Sequence, residues 1–304
     1  MKPIIGYIKK YFYETDKRVL SFVTVLTGLL IFCNYHFGID NSIGNHYNFL
    51  FSLLSRAGIF MIAFGLPYLA YNLTGGKNYI TNRSFLFLLL IAPFIFSLKI
   101  ALNLDFQLST DWHINNFWNH VFYWPLLLVI TGTILFIIWK LFDNNQPFYG
   151  TKTKDMNWKP YIIMLLIMIP LIAAASTQPD FQAMYPKLKL ITTASTIDKL
   201  SWWKKLLFEL SYGSDFISIE LFFRGFLILA FIKWAGKDAI LPMACFYCTI
   251  HFGKPLGECI SSYFGGMILG IVVYNTRSIF GGLMVHLGIA WMMEIGGYIH
   301  PLSP

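Results

Sequence analysis

"ISIELFFRGFLIL", residues 217–229, decides how the chain is read. It sets Glu220 and Arg224 four positions apart inside an apolar run, Phe216 to Ile232, that is long enough to cross a bilayer. On an α-helix residues four apart share a face, and glutamate before arginine is the favoured order. An isolated charge in hydrocarbon costs a few kcal/mol or more, so each side chain is expected to serve as the other's counter-ion. Two readings of the pair stand: a structural ion pair facing the bundle interior, or part of a functional site.

The solvent implied by the rest of the sequence is lipid. The 304 residues are 56% hydrophobic and 18% aromatic, with 12% charged, against roughly 25% charged in an ordinary soluble domain. Spans of about 20 apolar residues are predicted at Val19 to Ile39, Tyr47 to Leu73, Ser84 to Leu104, Phe117 to Phe142, Pro160 to Ser176, Leu207 to Ile232, Ala239 to Phe252, Cys259 to Tyr274 and Ser278 to Tyr298. The seventh is short, which leaves eight or nine. The runs lack the alternation of barrel strands, and hydrocarbon cannot satisfy open backbone groups, so the expected fold class is all-α, a polytopic transmembrane helix bundle.

Charge placement orients the bundle. The N-terminal tail (Lys2, Lys9, Lys10, Lys17, Arg18), the 74–83 loop and the 140–159 loop (with Lys140, Lys152, Lys154 and Lys159) are basic, whereas 40–46 and 105–116 carry no Lys or Arg. The N-terminus is therefore expected on the cytoplasmic side of a plasma, or inner, membrane. The first apolar stretch is too long for a secretory signal and lacks a small-residue cleavage site, so it is expected to stay as the first span. The 177–206 connection runs against the alternation with Lys187, Lys189, Lys199, Lys204 and Lys205; Trp202-Trp203-Lys204-Lys205 reads as an interfacial anchor. That connection separates accessory helices, 1–176, from a core at 207–304 that holds the candidate chemistry.

A net charge of +8 with a pI near 9.2 raises the possibility of nucleic acid. The basic residues flank spans and form no stripe, so anionic lipid is the expected partner and nucleic acid is not. Cys33, Cys245, Cys248 and Cys259 fall within or beside spans and do not form a secreted disulfide framework. Arg56 and Lys99, near span ends, are expected to snorkel. Asn72-Leu-Thr74 and Asn82-Arg-Ser84 match the glycosylation pattern but fall on the expected inner side.

Two histidines extend the charged pair into a candidate site. His251 closes "FYCTIHFG" and His286 lies in "GGLMVHLGIAWMME". A lone intramembrane histidine is often a hydrogen-bonded packing residue; two, with an acid on a third helix, can form one site. Between them, Gly265, Gly266 and Gly270 are expected to let helices approach closely rather than to cradle phosphate.

The ordered motifs Ile219-Glu220-Leu-Phe-Phe-Arg224-Gly225, Tyr247-Cys-Thr-Ile-His251, the glycine-rich "YFGGMILGIVVYNTRSI" and His286-Leu-Gly-Ile-Ala290 resemble those of the CPBP intramembrane proteases, the CAAX protease, bacteriocin-processing or Abi family. Its hallmarks are EExxxR, FxxxH and HxxxN or HxxxD, and the resemblance covers about residues 205–298. It implies an endopeptidase acting on a lipidated or membrane-embedded peptide or protein. In the family the first glutamate and first histidine activate water, the second histidine and the Asn or Asp stabilise the oxyanion, and the second glutamate and arginine support the site. Here Ile219 replaces the first glutamate and Ala290 the Asn or Asp.

Isoleucine accepts no proton and alanine donates no hydrogen bond. Loss of a general base typically costs about 100- to 10,000-fold, and loss of an oxyanion donor about 100- to 1,000-fold. Among substitutes, Asp215 lies within about 40° of the Ile219 direction but ~6 Å along the axis, and Glu294 lies ~12 Å past His286. Glu220, about 100° from Ile219, is the best remaining carboxylate. Glu220 and His251 are thus the expected water-handling pair, His286 the oxyanion donor and Arg224 the support. Glu220, His251 and His286 are also a candidate zinc set, with Cys245, Cys248, His251 and Cys259 as a rival ligand group. The alternative to catalysis is an inactive relative, a pseudoprotease that binds a peptide, lipid or partner protein in the same cavity.

Overall fold

A computed structural model describes residues 2–46, 48–75, 77–152, 157–191 and 200–299. Lys154, Lys199 and positions 192–199 of the basic connection lie outside the described residues. Every regular element among the described residues is helical.

In chain order the helices are α1 (Lys2–Glu14), α2 (Lys17–Phe37), α3 (Ile39–Gly44), α4 (Phe49–Gly75), α5 (Arg83–Ala101), α6 (Trp112–Phe142), α7 (Lys159–Ala175), α8 (Pro179–Met184), α9 (Trp202–Glu220), α10 (Ile232–Ala235), α11 (Ile240–Thr249), α12 (Leu256–Thr276) and α13 (Phe280–Ile299). Their ends follow local chemistry. Asp16 precedes α2 and its carboxylate accepts from the Arg18 backbone N–H; Gly38, at φ 63°, ends that helix in the left-handed region. Asn82 caps α5 by accepting from the Phe85 N–H, and Asn72 accepts from the Tyr79 N–H. Both potential glycosylation asparagines thus hold local backbone.

Among the described residues, six helices are long and apolar enough to cross a membrane: α2, α4, α5, α6, α12 and α13; α7, at 17 residues, is apolar but shorter. They present large apolar side chains outward, such as Leu29 and Phe32 of α2, Val129 and Ile137 of α6, and Leu166 and Leu171 of α7, as expected where lipid is the solvent. The protein is an integral membrane helix bundle. Pro67, Pro93, Pro125 and Pro170 sit inside four of these helices, and such breaks are tolerated where neighbouring groups re-satisfy the freed carbonyls.

Of the nine runs read from hydropathy, the fifth is the 17-residue α7, the sixth passes from α9 into a different helical geometry and the seventh is the ten-residue α11. From Leu221 to Ala230 the chain leaves α geometry for a π-helix, and all ten residues of that segment are buried. All ten residues of α11 are buried as well. A helix that is apolar all round is a core helix of the protein as readily as a lipid-facing span.

Two compact units divide the chain. The first is Met1–Leu102, Ile134–Thr153 and Leu221–Ile279; the second is Asn103–Thr133, Lys154–Glu220 and Phe280–Pro304. In the first, the π segment and α11 form the centre of an aromatic core. Phe222 and Phe223 each lie 4.9 Å from Phe96, Phe231 packs on Phe64 and Phe85, and Phe246 on Phe60. Gly225 admits the Tyr149 carbonyl, which would stand 2.8 Å from a Cβ at that position. Gly150, at φ 77°, turns the same connection onto the π segment. Gly266 and Gly270 receive Tyr247 and Met243 of α11 closely, whereas Gly265 faces open space; two of the three glycines therefore serve the close contact expected of them.

Buried charge in this unit is paired locally. Arg56 reaches Asp40 at 2.6 Å, and Asp238 accepts from Lys77 and from the Tyr79 hydroxyl. Lys99 is 6% exposed, with its ammonium 5.1 Å from the Phe96 ring centroid. Arg56 is thus paired with an acid, and Lys99 lies over an aromatic face.

The second unit packs α7 and α9 on α13. Leu165 of α7 fits against Gly288, and Trp291 and Leu287 against Gly213 of α9. Tyr212, Phe216 and Ala290 form a buried apolar cluster with Leu283 and Leu287 around it. Trp202 and Trp203 open α9 as exposed side chains, with the Lys204 ammonium over the Trp203 ring.

Candidate active site

Glu220 is the last residue of α9 and is fully buried. Its Oε1 lies 2.9 Å from Nδ1 of His286 on α13. A carboxylate only accepts, so with Glu220 ionised Nδ1 of His286 carries the proton and donates it. That fixes the tautomer and leaves Nε2 as the atom with which His286 does chemistry. The imidazole is also held from its side by Phe216, edge to face with ring centroids 4.7 Å apart. Glu220 and Phe216, four positions apart on α9, thus clamp one ring from the facing helix. Sequence reasoning found Glu220 and His286 but missed Phe216, whose position one turn before Glu220 was the available signal.

One oxygen of Glu220 is engaged by His286. A buried carboxylate beside an imidazole stabilises the imidazolium whenever the ring takes up a second proton.

His251 belongs to the first unit, one residue past the single-residue cap that ends α11. Its Nδ1 lies 3.0 Å from the carbonyl of Tyr247. A carbonyl also only accepts, so Nδ1 is protonated here too and Nε2 keeps its lone pair, the tautomer required of a proton acceptor. The Tyr247 ring packs on the His251 ring, centroids 4.8 Å apart. On its other contact Tyr247 meets Arg224, whose guanidinium carbon is 3.9 Å from the ring centroid. Arg224 is fully buried in the π segment, where a desolvated guanidinium over an aromatic face is worth about 2 kcal/mol.

Arg224, Tyr247 and His251 therefore form one line of contacts, with the arginine supporting the histidine through the tyrosine ring. After Glu220 the helix turns to i→i+5 bonding, over Leu221–Ala230. No sequence signal marked the π-helix, and such segments recur at functional sites.

The other candidate carboxylates have structural employment. Asp215 accepts from the Ser218 hydroxyl at 3.1 Å, and Glu294 accepts from the Lys187 backbone N–H at 2.8 Å. Ala290, where the resembling family has Asn or Asp, is 5% exposed in the Tyr212 and Phe216 cluster. Among the described residues no group of three or more His, Cys, Asp or Glu side chains is gathered to hold a metal ion. Cys248 and Cys259 do meet, Sγ to Sγ at 3.9 Å, and all four cysteines are free thiols.

Residues 203–292 match the family model described as type II CAAX prenyl endopeptidase Rce1-like. The match carries the family resemblance of the ordered motifs over the segment that holds Glu220, Arg224, His251 and His286. No curated protein and no solved structure matches the chain.

Proposed function

We propose that the protein is an intramembrane endopeptidase of the CAAX-protease type, cleaving a lipidated or membrane-embedded peptide. The observation that carries the reading is the buried Glu220–His286 pair, 2.9 Å apart, inside the family-matched segment. A buried charge retained in a bilayer is a functional candidate by default, and this one is spent on setting a tautomer.

His251 takes the role of general base. Its Nε2 accepts a proton as water oxygen attacks the scissile carbonyl carbon. The carbonyl oxygen becomes the oxyanion and accepts from Nε2–H of His286 in its imidazolium form, the form that a neighbouring carboxylate stabilises. Collapse of the tetrahedral species breaks the C–N bond, and His251 returns its proton to the leaving amine. Arg224 and Tyr247 position His251. Ile219 and Ala290 supply neither base nor donor, which makes the two histidines carry work shared by four groups in the family pattern.

Those two replacements favour a second reading, a pseudoprotease that binds a lipidated peptide without cleaving it. The test is purified protein in detergent with a farnesylated peptide panel, compared with His251→Ala and His286→Ala. Cleavage by the parent that both substitutions abolish supports the protease. Tight peptide binding with no product supports the binder, and cleavage that survives both substitutions removes the residue assignment. In either reading the N-terminus is placed on the cytoplasmic side of the plasma, or inner, membrane, which cysteine accessibility in the 2–15 tail of intact and opened cells will check.

A further inference from the structure

Cys248 and Cys259 have no part in the proposed reaction, and their sulfurs lie side by side. Cys248 lies in the last turn of α11 and Cys259 in the first turns of α12, eleven positions apart. Both are fully buried. The sulfurs are 3.9 Å apart, and Cys248 Sγ also lies 3.3 Å from the Cys259 carbonyl. A disulfide needs about 2.05 Å between sulfurs, so closure requires an approach of under about 2 Å, within reach of side-chain rotation and a small helix shift.

Access comes from the side of α2. The Tyr35 hydroxyl donates to the Lys254 carbonyl at 2.5 Å, on the turn between the two cysteines. Tyr35 also lines a mainly apolar cleft of about 600 Å³ with Thr27, Phe32, Leu256, Ile260 and Tyr263. Leu256 and Ile260 flank Cys259 along α12, and the cleft suits an apolar visitor.

We propose that Cys248 and Cys259 form an intramolecular disulfide on oxidation by a hydroperoxide entering through this cleft. Cys259 sulfur attacks the hydroperoxide, the O–O bond breaks, and an alcohol leaves as the sulfur becomes a sulfenic acid. Cys248 sulfur then attacks that sulfur, forming the S–S bond and expelling water. The two sulfurs lose two electrons to the peroxide oxygens, and the two thiol protons end on the alcohol and the water.

The bond has a consequence for His251. The Cys248 carbonyl accepts from the His251 backbone N–H at 3.0 Å, and the bridge spans the turn between α11 and α12 that carries the histidine. Oxidation ties both ends of that turn together. The inference stands whether the protein cleaves its ligand or only binds it.

The test uses the full-length protein in detergent treated with cumene hydroperoxide, thiol blocking with a maleimide after denaturation, and peptide mass mapping. Expected is a cross-link between the Cys248 and Cys259 peptides with a mass lower by two hydrogens, reversed by dithiothreitol and retained in Cys33→Ser/Cys245→Ala. In Cys259→Ser, Cys248 is expected to stay open to the maleimide. Amide exchange across residues 249–258 is expected to slow on oxidation. Cys248 and Cys259 both remaining alkylatable while Cys33 oxidises, or cross-links only between chains, would overturn the site. Unchanged or faster exchange would overturn its hold on the His251 turn.

Discussion

At the scale of single residues, two hydrogen bonds bear on what the histidines can do. With Glu220 ionised, it and the Tyr247 carbonyl each accept from a protonated Nδ1 on the partner ring, so both imidazoles present Nε2 for chemistry. Glu220→Gln keeps an acceptor oxygen but removes the charge that balances an imidazolium. It is expected to lower peptide cleavage on the order of 100-fold, in initial-rate measurements, while peptide binding persists. A parent rate kept within a few-fold would show that the carboxylate charge does not support the reaction. The identities of Glu220, His251 and His286 were legible because charge and imidazole are rare in apolar runs. Phe216 was not, since an aromatic residue in such a run carries no mark that separates packing from positioning; Tyr247 stood at the aromatic position of the FxxxH motif, but its contact with Arg224 did not show. The family positions Ile219 and Ala290 yield a converse expectation. Ile219→Glu with Ala290→Asn supplies the missing base and donor and is expected to raise cleavage at least about 100-fold. The asparagine enters an apolar cluster, so a melting curve must accompany the rate.

At the scale of elements, the segment that opened the sequence reading is the one whose geometry departs most from it. Hydropathy cannot separate a helix facing lipid from one enclosed by protein, and it says nothing about i→i+4 against i→i+5 bonding. What fixes the π segment is packing, above all the approach of the Tyr149 carbonyl to Gly225. Gly225→Ala sets a methyl 2.8 Å from that backbone oxygen and is expected to destabilise by about 1–3 kcal/mol. Gly265→Ala, which meets nothing within 4 Å, is expected to be neutral or to stabilise by up to about 1 kcal/mol through helix propensity. Thermal melting of the two variants in one detergent checks the contrast; equal melting would mean the 148–150 turn does not press on this helix. Helix ends were more legible. Asp16 stands before an apolar run as a cap should, and its hydrogen bonds to the Arg18 side chain and backbone hold its carboxyl down to about 2. A depressed carboxyl stabilises above its unfolded value near 4 and loses that contribution as pH falls through the folded one. The protection factor against amide exchange at Val19 and Leu20, corrected for the intrinsic pH dependence, is therefore expected to stay flat down to about pH 4 and to fall below it, an acid response absent from Asp16→Ala.

At the scale of the whole molecule, the family match and the packing have different extents. The match spans 203–292, yet the aromatic core around the π segment is completed by residues far earlier in the chain. Phe96 of α5 packs on Phe222 and Phe223, Phe64 of α4 on Phe231, and Tyr149 on Phe226. The sequence showed a break in composition at 177–206, because lysine and proline are visible there; it could not show which early helix fills which late groove, since that pairing is written in shape rather than in composition. The consequence is that the early helices belong to the fold of Arg224, Tyr247 and His251. A fragment of residues 203–304 would bare the faces of Phe222, Phe223, Phe226 and Phe231 that these partners cover, at a cost of about 1.5–3 kcal/mol for each large side chain left unpacked. Lipid can replace some of that contact but not its fit. The fragment is expected to aggregate or melt without cooperativity in mild detergent, whereas the full chain gives a single sharp transition, and co-expression of 1–176 with 177–304 is expected to restore a stable complex on size-exclusion chromatography. A 203–304 fragment that melts cooperatively at the temperature of the full chain would show the reverse, a self-sufficient core to which the early helices are an addition.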